Sequence, residues 1–169
     1  MIRFRSLTAI DDFDLVQGVF EKCADYVMLE TGKKPGQANV TAFFEDHPVG
    51  VTVDDKLLVG IFDADRAIGV IDILCGYPAN SDWYIGLLMI DPVYRGRGVG
   101  QRALNWVVDV AGSAGAAQLL LCVLDENPHG QTFWLREGFK LKQQTPPWKA
   151  GKKVHKRFEM ARKLDPQTC

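Results

Sequence analysis

No run of apolar residues in this chain reaches the ~18 that a membrane-crossing helix needs. The opening stretch, MIRFRSLTAIDDFD, lacks the apolar segment of a secretory leader, so a cytoplasmic protein with no membrane partner is expected. An excess of one charge sign is missing too. Lys and Arg number 20, Asp and Glu 21, and the formal net charge is -1. That argues against a general nucleic-acid binder and leaves room only for a local basic patch. The four cysteines, Cys23, Cys75, Cys122 and Cys169, form no C-x-x-C pair. Cys75 and Cys122 sit in apolar strand-like runs and read as buried free thiols, which suits a reducing compartment. His47, His129 and His155 are scattered without metal-ligand spacing, so no metal is expected. No Ser-His-Asp arrangement has a local signature, and no repeat, low-complexity tract or linker interrupts the chain.

What is present suits a single domain over residues 1–169. Its 47% apolar content can supply a full core. Ile2 to Leu7 alternates as a first strand. The apolar positions from Asp12 to Glu30 fall mostly on one helical face, with Thr8 or Asp11 as cap and Gly32 and Pro35 as stop. A second short helix is expected over Asn39 to Asp46. Lys56 to Phe62 and Ala67 to Leu74 read as a hairpin across Asp63-Ala64-Asp65-Arg66. Gln118 to Leu124 is an apolar strand, and Gln131 to Arg136 a short helix closed by Gly138. Phe139 to Gln143 begins another strand. Thr145 to Gly151, with Pro146 and Pro147, reads as a loop. The alternation around Val154, Phe158 and Met160 gives a last, half-exposed strand near an edge.

The stretch from Trp83 to Gln101, WYIGLLMIDPVYRGRGVGQ, organises the rest. Tyr84 to Ile90 is an uncharged apolar run of strand length, Asp91-Pro92 is a turn, and Val99, Ala103, Val107, Val110 and Ala111 recur at helical spacing. The order is therefore strand, glycine-rich turn, helix. Glycine lets backbone amides approach a bulky ligand, and the first amides of a helix lack intrahelical acceptors and carry the positive end of its dipole. A phosphate suits such a place. Strand, helix, strand in one sheet further implies a right-handed crossover with parallel strands at 84–90 and 118–124.

Arg95-x-x-Gly98-x-Gly100 resembles the acyl-CoA pyrophosphate motif of the GNAT superfamily of N-acetyltransferases. Asn127 to Phe139, NPHGQTFWLREGF, resembles that superfamily's second conserved segment, in its order and at about its spacing. The resemblance covers about Trp83 to Phe139. It implies an α/β fold (α+β by some schemes): a mixed, mostly antiparallel sheet flanked by helices on both faces, its two parallel strands parting to admit acetyl-CoA. It further implies a cofactor grip by Arg95, Gly96, Arg97, Gly98, Val99, Gly100 and Gln101, with the pantetheine arm beside Leu88, Met89 and Ile90. An amide there would stabilise the thioester oxygen, and Asn127 would touch the arm. Arg102 is a further candidate for phosphate.

Acetyl transfer also needs a neutral amine and a leaving thiolate. The position that often carries a tyrosine in the family is Trp134 here, and an indole N–H is no usable acid at neutral pH. Tyr84 is a candidate substitute. An alkylamine is mostly protonated at neutral pH, its reference pKa being ~10.4, so a carboxylate base would help. Asp72, Asp82 and Glu30 are candidates. Asp72 interrupts an apolar run, and a solvent-facing strand residue explains it equally well. The N-terminal helices, which in the family help form the acceptor pocket, carry Tyr26 and Glu30 among several acidic residues. They point to a small cationic amine, with peptide and protein amines left open. A homodimer is common in the family. A dinucleotide-binding oxidoreductase fits less well, because Gln101 stands where its motif needs the last glycine. A non-catalytic acyl-CoA-binding module and a transferase with another acyl chain or an oxygen acceptor are the other readings.

Overall fold

The computed structural model describes residues 1–165 and contains one seven-stranded sheet with helices on both faces. The elements run β1 (Ile2–Ser6), α1 (Ala9–Lys22), α2 (Ala24–Thr31), α3 (Gln37–Glu45), β2 (Lys56–Asp63), β3 (Arg66–Cys75), β4 (Asp82–Ile90), α4 (Val99–Ser113), β5 (Gln118–Leu124), α5 (Pro128–Arg136), β6 (Lys140–Ala150) and β7 (Lys153–Lys163). Strand order is β1-β2-β3-β4-β5-β7-β6. Only β4 and β5 pair in parallel; every other neighbouring pair is antiparallel. Among the described residues no helix is long and apolar enough to cross a membrane.

The period-2 alternation of the strands divides the core between two faces. Ile71, Ile73, Trp83, Ile85, Leu119 and Leu121 pack under α4, joined by Trp134 and Phe139 from the α5 region. Val70 and Met89 face the other way, under Val16, Val19, Phe20, Val27, Phe43 and Phe44 of α1 to α3. The side chain of Thr8 accepts from the amide of Asp11 and caps α1.

Two features of β4 set up the site. Opposite Asp72 and Ile73 of β3 stand Leu87 and Ile85, so Gly86 is an extra, bulged residue. Pairing between β4 and β5 covers only Asp82 to Ile85 against Gln118 to Leu121. From Gly86 to Ile90 the β4 backbone is not paired with β5, and a cleft opens between the parallel strands.

Three expectations need correction. The helix expected over Asp12 to Glu30 is two helices, broken at Cys23, which ends α1 and begins α2. The buried residues stay on one face across the break, so hydrophobic spacing is blind to it. The segment after Gln143 is not a loop: β6 continues to Ala150. Its register slips between Thr145 and Trp148, which holds Pro146 and Pro147 out of the ladder, and β6 is an edge strand that needs donors on one side only. The last strand, β7, is half-exposed and lies near that edge as expected, between β5 and β6. Finally, Cys75 and Cys122 are half-buried rather than buried; Cys23 is the buried thiol, and Cys169 lies outside the described residues.

Candidate functional site

The cleft runs into the glycine turn. Gly96 and Gly98 hold φ of 72° and 77°, a left-handed conformation that other residues adopt only with strain. A Cβ at either would meet nothing within 4 Å, so backbone conformation, not crowding by the protein, calls for glycine there. Gly98 caps α4 without a side-chain hydrogen bond, and the first intrahelical bond at this end is donated by Arg102 to the carbonyl of Gly98. The amides of Val99, Gly100 and Gln101 therefore stand at the positive end of the helix without intrahelical acceptors. Gly100 differs: a Cβ there would stand 3.2 Å from the Phe133 ring, which would have to shift by a few tenths of an ångström.

The arginines of this turn differ. Arg97 and Arg102 are exposed. Arg95 donates to the carbonyl of Ile90 at 2.8 Å and forms a two-pronged ion pair with Asp25 of α2, the longer contact being 3.1 Å. That hydrogen-bonded pair holds the Asp25 carboxyl below its usual range. The guanidinium of Arg95 is thus engaged in tying the glycine turn to α2, and its backbone is what remains for a ligand.

Asn127 caps α5. Its side-chain oxygen accepts from the amide of Gly130 at 3.0 Å, and a Cβ at Gly130 would lie 2.6 Å from the Asn127 amide nitrogen. Asn127→Ala should lower stability by about 1 kcal/mol, the usual worth of such a cap. Thermal unfolding reads this directly, and an unchanged melt would remove the cap from the account. Trp134 is buried against Phe133 and Phe139, with centroids at 4.8 and 5.2 Å. It belongs to the core. Trp134→Tyr should leave a cavity and lower the melting temperature without raising turnover; faster turnover would show that a hydroxyl is wanted at this position.

The opposite face of the cleft, beneath α2, gathers the polar residues. Asp72 does not face open solvent: its side chain is 17% exposed and pairs through Oδ2 with Lys56 Nζ at 3.2 Å. That ammonium is itself buried and also donates to the carbonyls of Phe43 and Asp46 at 2.8 and 2.6 Å. Oδ1 of Asp72 is buried and, among the described residues, has no hydrogen-bond partner. Burial pushes the Asp72 carboxyl up, and Lys56 only partly opposes this. The carboxylate lies against the bulge, 3.4 Å from where a Cβ on Gly86 would stand.

Tyr84 lies on this same face. Its hydroxyl is pushed up mainly by burial and then by contact with the Cys122 thiol, with Arg157 and Glu159 nearby. Tyr26 and Glu30 of α2 approach each other, and burial raises both, while His155 and Arg157 draw Glu30 back down. The ring of His155 is fully buried, and its Nε2 donates to the carbonyl of Glu30 at 2.6 Å. Asp82 lies at the far end of β4, bound to Gln118 at 2.9 Å, outside this group. The fold thus brings Asp72, Tyr84, Tyr26 and Glu30 to one face, and Leu88 to Ile90 beside Gly96 to Gln101 along the cleft.

Sequence reasoning missed Lys56, Gly86, Trp148 and Arg157, which the register of β2, β4, β6 and β7 brings here. The only signal for Arg157 is its alternation with Phe158, and that reads as an outward face. It also missed Asp125, Glu126 and His155. Their ligand atoms come within 4.8 Å of one another, from the end of β5 and from β7. No local spacing could reveal that trio, and Lys153 already approaches Glu126 at 3.4 Å.

A family model described as Acetyltransferase (GNAT) family matches residues 17–139. No curated protein matches the chain. Solved structures with the same fold include an acetyltransferase from Thermus thermophilus. It is 23% identical, with a TM-score of 0.77 and 97% of each chain covered. The PaiA N-acetyltransferase of Thermoplasma acidophilum, in complex with coenzyme A, is 17% identical with a TM-score of 0.70; 97% of this chain and 99% of that one are covered. The ribosomal-protein-S18-alanine N-acetyltransferase of Escherichia coli is 14% identical with a TM-score of 0.71, covering 97% and 94%.

Proposed function

The chain belongs to the GNAT family of acetyltransferases, and from that premise we propose that it moves an acetyl group from acetyl-CoA to a small primary amine by direct attack within a ternary complex. The observation that carries this reading is the meeting of the β4–β5 cleft with the uncapped amides of the glycine turn. The pyrophosphate lies on the amides from Gly96 to Gln101, with Arg97 supplying charge. The pantetheine arm runs along Leu88, Met89 and Ile90, whose cleft-facing backbone groups have no β5 partner. Asn127 offers its side-chain amide to the arm. An amide of β4 meets the developing oxyanion, a contact typically worth about 3 kcal/mol.

The acceptor enters from the face under α2. It arrives as an alkylammonium, the cationic amine that the acidic groups of this face favour. Asp72, raised by burial, takes its proton directly or through water. The nitrogen lone pair then forms the C–N bond, the nitrogen gives its second proton to water, the tetrahedral centre collapses, the C–S bond breaks, and the thiolate leaves with the electron pair. Tyr84 donates a hydrogen bond to that thiolate. A buried phenol raised above its ordinary ~10 is a weaker acid than a thiol of ~8.5, so it stabilises the leaving group without giving up its proton. Tyr26 and Glu30 line the acceptor side. We place the protein in the cytoplasm, acting on a small molecule or a peptide amine, with no nucleic acid or membrane as partner.

Tyr84→Phe should lower kcat by about 10-fold, the worth of one hydrogen bond to a charged group, with KM for acetyl-CoA unchanged. Steady-state kinetics checks this, and an unaltered kcat would remove Tyr84 from the mechanism. The test of the activity itself is thiol release from acetyl-CoA across a panel of amines, with a no-acceptor control. Acceptor-dependent release is expected. The burial of Trp134 in the tyrosine position favours one rival, a module that binds acyl-CoA without turnover. That rival predicts binding and no release with any amine.

A further inference from the structure

Arg157 occupies an unusual electrostatic position. It stands on β7 opposite Leu124 of β5, on the face beneath α2. Its guanidinium carbon lies over the Trp148 ring, 4.4 Å from the centroid, within cation–π range. Its Nε is buried and, among the described residues, has no hydrogen-bond partner. Arg5, Arg66 and Arg95 each pair with an aspartate. Arg157, among the described residues, forms no ion pair within 4.0 Å.

The neighbouring carboxylates do not fill that role. Glu159 accepts from Gln143 at 2.6 Å and meets Lys142 at 3.5 Å. Glu30 is disfavoured as an anion by its own burial. A half-buried guanidinium with an open fork favours an incoming planar anion, because two parallel charge-assisted hydrogen bonds replace lost hydration. A carboxylate fits that fork. A phosphate dianion would bring a second negative charge against Glu159, and the coenzyme's phosphates belong at the glycine turn.

We infer that Arg157 is the carboxylate subsite of the acceptor pocket, and that the acceptor is a small molecule carrying both a primary amine and a carboxylate. The inference rests on the transferase reading and deepens it. Tyr84, whose hydroxyl feels the charge of Arg157, stands just before β4 and β5 part. One short skeleton therefore reaches from the guanidinium to the thioester. Trp148 gives that skeleton an aromatic wall.

The test is thiol release with matched acceptors: free amino acids and ω-amino acids, their carboxamides, and the amines lacking the carboxylate. The wild-type protein should prefer the carboxylate form by about 10- to 100-fold in kcat/KM, the worth of a charge-assisted pair. Arg157→Gln should erase that preference by raising KM for the acids, leaving the carboxamides and acetyl-CoA affinity as they were. Equal use of acids and carboxamides by the wild type would overturn the subsite. So would an Arg157→Gln protein that loses both equally. In either case transfer to the amide or plain amine keeps the transferase reading intact. Acetyl-CoA binding without transfer to any member of the panel would remove both. If Arg157→Gln fails to fold, the wild-type preference decides alone.

Discussion

Gly98→Glu abolishes coenzyme A binding in a protein that still folds. The residue caps α4 at φ 77° and ψ 3°, with open space where a side chain would go. Any L-residue there bears a strain of roughly 1–2 kcal/mol, which a domain of ordinary stability tolerates. Glutamate adds a negative charge among amides that otherwise face the pyrophosphate, and its bulk lies in the phosphates' path. Loss of two or more charge-assisted hydrogen bonds, at about 1.5–3 kcal/mol each, lowers affinity by ~100-fold or more. Gly98→Asn separates strain from charge, because asparagine tolerates this conformation and is neutral. It should keep measurable binding. Titration calorimetry with a thermal melt of each variant reads both quantities. A folded Gly98→Glu protein that binds coenzyme A as the wild type does would move the site elsewhere.

Asp72→Asn lowers kcat by about 100- to 1000-fold, the range for losing a positioned base. The pH profile separates this from a structural effect. Burial raises the Asp72 carboxyl, so its ionised, proton-accepting form is lost at a pH above the ordinary carboxylate range. The wild-type kcat/KM should therefore fall on the acid side through that raised pKa, and the fall should vanish in Asp72→Asn. Glu30→Gln should keep it. The linkage to stability has the opposite sense. A carboxyl whose folded pKa exceeds its unfolded one binds its proton more tightly in the native state. Its contribution therefore weakens as pH rises from the unfolded pKa through the folded one. Asp72→Asn also strips the buried Lys56 ammonium of the only carboxylate within 4.0 Å among the described residues and leaves it two carbonyls. A lower melting temperature accompanies the kinetic loss. An acid limb that survives in Asp72→Asn would assign the base elsewhere.

The strand, turn and helix that bound the cleft were legible in the sequence because local chemistry encodes them, whereas the parting of β4 from β5 was implied only by the family resemblance. An uncharged strand, a turn with glycines at two positive-φ positions and an amphipathic helix follow one another without interruption. The antiparallel hairpin of β2 and β3 and the parallel pairing of β4 with β5 were legible for the same reason: turn length and crossover hand fix them. The acceptor face was not. Asp72 reads equally well as a solvent-facing residue, because a strand pattern does not say what covers its polar face. Only the register of β2 shows Lys56 beneath it. Arg157 and His155 reach the site from β7, inserted between β5 and β6, and sequence neighbours carry no trace of that pairing. Arg95 reads as a phosphate ligand until α2 brings Asp25 against it. The prolines of β6 read as a loop because a ladder that skips two residues at an edge leaves no periodic sign.

The central claim is that acetyl-CoA occupies the cleft between β4 and β5 with its pyrophosphate on the turn before α4. The most direct measurement is a coenzyme A titration of uniformly 15N-labelled protein, followed through assigned backbone amide resonances. The account predicts that the largest shifts fall on Leu88 to Ile90 and Gly96 to Gln101, with smaller ones at Asn127. Saturating binding that leaves those amides unmoved, and shifts instead the residues of another face, would contradict it.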